Sequence, residues 1–128
     1  MRILIDTNCY SVIDKGDPET IRRIESAHEV WLPFIALGEL YAGFEHGAQK
    51  NENEQQLHDF LSRPSVDVLY ADHDTTREYG QIFHVLRRQG TPIPTNDIWI
   101  AALAIQHDLL LITSDKHFLH VPGLKILR

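Results

Sequence analysis

Residues 92–118 read PIPTNDIWIAALAIQHDLLLITSDKHF. The apolar run at 98–105 is long for a strand and rich in Ala and Leu, so it predicts a buried helix with Asp97 in its first turn. The aliphatic block 109–112 predicts a strand buried on both faces, with Asp115 just past its end. Because buried elements seldom carry carboxylates in their interiors, acids at the ends of these two elements indicate a functional site.

The composition of the chain limits the kinds of protein that it can be. A chain of 128 residues with 43% hydrophobic content is predicted to form one domain, residues 1–128, with a sizeable core. The single cysteine, Cys9, excludes a disulfide within the chain. Neither a leader-like start nor a membrane-length apolar run is apparent, so we expect a cytoplasmic protein without a membrane partner. A net charge of -6 argues against a protein that binds nucleic acid by overall electrostatic attraction. It is compatible with an enzyme that acts on nucleic acid and binds a metal ion through several carboxylates.

Strand-like and helix-like segments alternate along the chain, which predicts an α/β fold with a mostly parallel sheet. The expected helices start at Asp17-Pro18, at Pro33 and at Asp72, the last one closing at Gly90. A further amphipathic helix is expected to end before Pro64, and the polar stretch 47–56 is interpreted as a mobile link. The expected strands are 3–5, 30–32, 66–70, 109–112 and an edge strand at 124–127.

Two further acids join Asp97 and Asp115. Asp6 directly follows the first predicted strand; an isolated Asp-Thr-Asn is usually turn chemistry, but ligands of open parallel sheets bind beyond the carboxyl ends of strands, where Asp6 and Asp115 would both lie. Glu39 lies among apolar neighbours of a predicted helix, so it is either a solvated surface acid or a member of the site. The sequence leaves both interpretations of Glu39 open.

Four carboxylates drawn from strand ends and helix turns suit Mg²⁺ or Mn²⁺, which prefer oxygen ligands. Such an ion orients a water, lowers its pKa and stabilises a phosphodiester under in-line attack. Whether one ion or two would bind stays open. Zinc bound by His117 and His120 lacks a four-ligand pattern, so these residues are interpreted as surface histidines.

The chain resembles the PIN-domain family, and within it the VapC-type toxin ribonucleases of toxin–antitoxin systems. The matching segments occur in the order of the family and cover nearly the whole chain: ILIDTN at 3–8, GELYAG at 38–43, LRRQGTPIPTNDIWIAA at 86–102 and TSDKHF at 113–118. The resemblance implies a three-layer α/β/α sandwich around a sheet of about five strands. It also implies cleavage of RNA dependent on Mg²⁺ or Mn²⁺, a homodimer, and inhibition by a small cognate antitoxin of the VapB type.

The resemblance also assigns roles to individual residues. It makes the four acids the catalytic and metal-binding set, and it gives Asn8 and Thr113 supporting positions; the acids are Asp6, Glu39, Asp97 and Asp115. One position departs from the pattern, because this chain has His117 where some members carry a further acid. The resemblance therefore does not supply a complete ligand set for a second ion.

Three other α/β families do not fit this sequence. The second Asp of the haloacid dehalogenase motif, the Lys-Pro pair of phosphorelay receivers and the GxGxxG of dinucleotide-binding modules are all missing. A PIN-like module that binds RNA or protein without cutting is the remaining alternative. RNA contact is expected to come from local cations, namely Arg87, Arg88 and Lys116, although the two arginines would equally complement the end of a helix.

Overall fold

The computed structural model describes residues 1–128, and its centre is a five-stranded sheet in which every neighbouring pair is parallel. The strand order is β3-β2-β1-β4-β5. The strands are β1 (Arg2–Ile5), β2 (Glu29–Pro33), β3 (Val66–Leu69), β4 (Leu110–Ile112) and β5 (Ile126–Leu127). The chain runs outward from β1 to one side and returns to its other side with β4, so the switch point of the sheet lies between β1 and β4.

Helices cover both faces of this sheet. They are α1 (Thr7–Asp14), α2 (Pro18–Ser26), α3 (Phe34–His46), α4 (Lys50–Leu61), α5 (His73–Gln89), α6 (Thr95–Gln106) and a short 3₁₀ helix (Lys116–His120). None of the helices combines the length and the apolar character needed to span a membrane.

Alternating side chains of the central strands form two separate cores. Leu4 and Leu111 belong to the core that also contains the buried residues of α5 and α6. Ile3 and Ile5 belong to the opposite core, which contains buried residues of α1 to α4. The predicted three-layer α/β/α sandwich around a parallel five-stranded sheet is confirmed.

Helices α5 and α6 form an antiparallel pair on one face. The start of α5 is joined to the end of α6, since Gln106 Nε2 donates to Asp72 Oδ1 at 2.8 Å. At the other end of the pair, Gly90 closes α5 in the left-handed region with φ 73°, a conformation that favours glycine. There, Gln89 Nε2 donates to the carbonyl of His120 at 3.1 Å. The end of α5 and the start of α6 therefore lie on the same side of the molecule.

Two local predictions were wrong or incomplete. The stretch 47–56 is not a mobile link throughout, because α4 already begins at Lys50. Its first turns consist of Lys, Asn, Glu and Gln, of which Lys, Glu and Gln are good helix formers, and Lys50 forms an ion pair with Glu45 at 2.7 Å. Helix α1 was not predicted at all. It begins directly after Asp6, whose side chain caps it.

Candidate functional site

A pocket of about 140 Å³ opens at the carboxyl ends of the central strands. The register pairs Ile5 with Ile112, so the residues that follow β1 and β4 are neighbours at the switch point. Four carboxylates line the pocket, and each comes from a different element. The lining residues are Asp6, Thr7, Asn8, Glu39, Asp97, Ile100 and Asp115.

Asp6 is the most buried of the four acids, with 5% of the residue exposed. Its Oδ1 accepts the Cys9 backbone N–H at 2.8 Å, which caps α1. Its Oδ2 accepts the Thr113 hydroxyl at 2.5 Å. Burial raises the pKa of Asp6, and its hydrogen bonds to Thr113 and Cys9 only partly offset that rise. The fold thus holds Asp6 rigidly at a cost that a nearby cation would reduce.

Thr113 links two of the carboxylates. It is buried, and while its hydroxyl donates to Asp6 it also accepts the Asp115 backbone N–H at 3.0 Å. Asp115 is the cap residue of the 3₁₀ helix, and its Oδ1 accepts the His117 N–H at 2.9 Å. One threonine therefore fixes the Asp6 side chain relative to the Asp115 backbone.

Asp97 lies in the first turn of α6 and faces Asp115 across the pocket. Burial raises the pKa of Asp97; the hydrogen bond from His117 lowers it, and the charge of Asp115 raises it further. His117 Nδ1 lies 3.0 Å from Asp97 Oδ2 and 3.2 Å from Asp115 Oδ1. One ligand atom from each of these three residues fits within 4.8 Å of the others.

Glu39 combines the two interpretations that the sequence left open. The residue is exposed on α3, yet it lines the pocket. Thr7 Oγ1 donates to Glu39 Oε1 at 2.8 Å, so one carboxylate oxygen is held in place. Asn8 lies on the rim of the same pocket.

The three cations expected to contact RNA lie outside this pocket. Arg87 and Arg88 are in the last turn of α5, where they also complement the helix end. The Arg87 guanidinium stacks 5.9 Å above the Phe83 ring. Lys116 is exposed and follows Asp115 directly. None of the three forms an ion pair with a pocket carboxylate.

Two residues were assigned no role in the site from the sequence. Thr7 stands inside the Asp-Thr-Asn segment but was not singled out, and His117 was interpreted as a surface histidine. His117 is indeed exposed, with 49% of its side chain accessible, yet it contacts two of the acids. The available signals were its place in the TSDKHF segment, two residues after Asp115, and its position where some members of the resembled family carry an acid.

The donor set of the pocket suits a divalent cation. Its oxygen atoms are hard ligands of the kind that Mg²⁺ and Mn²⁺ prefer, and no Lys or Arg lines the pocket to neutralise them. The burial of Asp6 and Asp97 leaves carboxylate charge that the protein itself compensates only in part. This pocket could therefore hold a divalent metal ion.

Comparison with known proteins identifies the family. The PIN domain model matches residues 3–124. The chain belongs to the PIN-domain family. Among curated PIN-type relatives, Ribonuclease VapC1 of Haemophilus influenzae (strain R2866) is 30% identical, over 98% of this chain and 96% of that protein. The tRNA(fMet)-specific endonuclease VapC of Salmonella typhimurium is also 30% identical, over 98% of this chain and 96% of its own length.

Solved structures show the same PIN fold. VapBC2 from Rickettsia felis, bound to a DNA fragment from its promoter, matches with a TM-score of 0.89 at 27% identity, covering 99% of this chain and 98% of that chain. DNA-bound VapBC from Salmonella typhimurium matches with a TM-score of 0.86 at 30% identity, over 99% of this chain and 97% of that chain. Both cover the sheet and the helices that form the pocket.

Proposed function

We propose that this PIN-domain protein is a divalent-metal-dependent endoribonuclease and the toxin of a toxin–antitoxin pair. The observation that carries the proposal is the convergence of four carboxylates from four elements in one pocket at the sheet switch point. The ribonuclease names of its relatives support the activity. We take residues 1–128 to act as one PIN-domain unit in the cytoplasm.

Each acid has a proposed role in the reaction. Asp6, Asp97 and Asp115 would hold the metal ion, Mg²⁺ or Mn²⁺, with Glu39 completing the set. When bound, the ion supplies positive charge that lowers the pKa of a water and offsets the charge of the phosphodiester under attack. Thr7 holds one oxygen of Glu39, and the other oxygen would bind the metal ion as part of the four-carboxylate set.

Supporting residues keep this set in place. Thr113 fixes Asp6 relative to Asp115, and Asn8 on the pocket rim is suited to donate its amide hydrogens to a phosphate oxygen. The Asp6 side chain is further restrained because it caps α1. Pre-positioned ligands of this kind lower the reorganisation that the reaction requires.

RNA cleavage by purified protein tests the proposal. Asp6→Asn and Asp97→Asn should each reduce cleavage to background, as should EDTA, because each removes a charged ligand or the ion itself. The matched control is Asp67→Asn, which alters an exposed carboxylate on β3 and should leave cleavage unchanged. Cleavage by Asp97→Asn at the wild-type rate would contradict the assignment.

The same assay separates catalysis from the alternative of a PIN-like module that only binds RNA or protein. If wild-type protein binds RNA in the presence of Mn²⁺ but leaves it intact at high enzyme concentration, the binding-module interpretation replaces ours. Cleavage that disappears in Asp6→Asn while RNA binding persists supports the enzyme.

The proposed partners are an RNA substrate, a small antitoxin of the VapB type and a second copy of this chain. The VapBC complexes among its structural relatives support the antitoxin. If a small reading frame adjoins its gene, co-expression of the two proteins should give a stable complex and abolish cleavage. Light scattering of the free protein should give a mass of about twice 14.7 kDa; a monomer mass would contradict the homodimer.

RNA affinity is proposed to depend on Arg87, Arg88 and Lys116, because the chain as a whole is acidic. Arg87→Ala and Lys116→Ala should raise KM and flatten its salt dependence while kcat changes little. Arg77→Ala is the matched control, since Arg77 is an exposed arginine near the opposite end of α5. An unchanged salt dependence in both variants would leave Arg87 with only its role at the helix end and Lys116 without a role in RNA binding.

A further inference from the structure

The His117 ring lies against two of the four carboxylates that line the pocket. The Nδ1 atom lies 3.0 Å from Asp97 Oδ2 and 3.2 Å from Asp115 Oδ1. These two oxygens belong to different elements, the first turn of α6 and the cap of the 3₁₀ helix. The imidazole nitrogen thus bridges carboxylates on two different elements.

The backbone holds His117 in this position. Its N–H donates to Asp115 Oδ1 at 2.9 Å, and the next residue, Phe118, is 1% exposed in the core beneath the 3₁₀ helix. The side chain itself remains half exposed. Its ring is therefore placed by a buried anchor while staying accessible to an ion that enters from solvent.

The two distances from Nδ1 match those between adjacent ligands of a metal ion. Two ligands at right angles around an ion, each at about 2.1 Å, lie about 3.0 Å apart. Nδ1 carries at most one hydrogen and so cannot donate fully to both carboxylates. A cation between the three atoms would satisfy all of them at once.

We propose that His117 is a nitrogen ligand to the metal ion held by Asp97 and Asp115, and that it makes the site prefer Mn²⁺ to Mg²⁺. The inference rests on the proposed function, in which these two acids bind metal. Its chemical basis is a difference in tolerance for nitrogen. Mg²⁺ takes oxygen ligands and retains water, whereas Mn²⁺ also favours oxygen but, as a first-row transition ion, accepts an imidazole nitrogen in place of one oxygen more readily than Mg²⁺ does. The four carboxylates alone suit either Mg²⁺ or Mn²⁺, and His117 would favour Mn²⁺.

The first test measures metal binding without RNA. Pulsed EPR of the Mn²⁺-loaded protein should show nitrogen hyperfine coupling in the wild type and none in His117→Ala. The matched control is His120→Ala on the same 3₁₀ helix, where only the backbone carbonyl of His120 accepts a hydrogen bond, from Gln89. This variant should retain the coupling.

The second test measures selectivity. Metal-free protein is titrated with Mn²⁺ and with Mg²⁺ while thermal unfolding is followed. His117→Asp, which gives an all-oxygen set, should lower the ratio of Mn²⁺ to Mg²⁺ affinity by about tenfold or more, an effect at least as large as that of losing a residue that supports a metal ligand. Circular dichroism checks that the variants are folded.

The outcomes separate the inference from the proposed function. Mn²⁺ binding and RNA cleavage without nitrogen coupling, or with equal selectivity in wild type and His117→Asp, would overturn the inference alone and leave His117 as an ion-pair partner of the acids. If neither ion binds wild-type protein and no RNA is cut, both fail together.

Discussion

Thr113 is the residue through which the buried carboxylate of the site is stabilised. Its hydroxyl donates to Asp6 and accepts from the Asp115 backbone. Thr113→Val keeps the shape but leaves both groups without this partner. We expect a loss of stability of about 1–3 kcal/mol and of roughly 10–100-fold in activity or metal affinity. Chemical denaturation and a metal titration measure these two effects.

Thr113→Ser is the control for this prediction, because serine keeps the hydroxyl and loses only a methyl group. It should retain most of the activity. If valine and serine behave alike, the hydroxyl does not support the site, and Asp6 is positioned by its capping of α1 alone.

At the residue scale, the sequence indicated three of the four acids because each of the three stands at the end of a buried element. Asp6 and Asp115 follow strands, and Asp97 lies in the first turn of a buried helix. Contacts across the pocket were not predictable in this way. Thr7 meets Glu39 across 32 positions and His117 meets Asp97 across 20, so these pairs depend on how helices are oriented on the sheet.

At the element scale, the contact between the start of α5 and the end of α6 should lose its stabilising effect in acid. Hydrogen bonds from Gln106 and from the Thr75 backbone hold the pKa of Asp72 below its ordinary value. A carboxyl with a lowered pKa stabilises the fold above its unfolded pKa of about 4 and loses that contribution as pH falls through the folded value. Asp72→Asn should therefore lower Tm at neutral pH, and its difference from wild type should vanish in strong acid.

The matched control is Asp74→Asn, an exposed acid in the same first turn of α5. It should give a smaller Tm difference, because the Asp74 side chain does not bond to α6. Equal pH profiles for the two variants would mean that the Asp72 contacts add nothing beyond a general charge effect at the helix start.

Helices could be predicted where the sequence carries a long apolar run or clear capping residues. The apolar run of α6 and the capped start and glycine end of α5 were clear in the sequence. Helix α1 has only 8 residues, with Cys9 and Tyr10 buried, so its periodicity is too short to recognise. The start of α4 is polar on all sides, which resembles a loop in composition although the chain is helical there.

At the scale of the whole molecule, the alternation of strands and helices predicted a parallel sheet in an α/β fold, and the structure confirms it. The strand order was not predicted, because it depends on which side of β1 each later strand is added. That order, with β1 between β2 and β4, determines that Asp6 and Asp115 meet.

The gathering of these acids predicts that metal stabilises the entire fold. Four carboxylates in one pocket repel one another at neutral pH, and the burial of Asp6 and Asp97 adds to that cost. An ion bound only by the folded chain, at about a hundred times its dissociation constant, stabilises by about 2.7 kcal/mol. For a chain of this length the rise in Tm is roughly 10 °C. Thermal unfolding with Mn²⁺ and with EDTA measures the difference.

The Tm of Asp97→Asn relative to the wild type should depend on whether metal is present. In metal-free buffer it removes a partly buried charge beside Asp115, so its Tm should equal or exceed that of the wild type, even though activity is lost. With Mn²⁺ it should gain much less than the wild type, because a ligand is missing. Asparagine is the suitable substitution since it keeps the size and hydrogen-bonding capacity of the side chain at the start of α6. A metal-free Asp97→Asn protein that melts well below wild type, together with a wild-type Tm unchanged by Mn²⁺, would show that Asp97 stabilises the helix and that the four acids do not bind a metal ion.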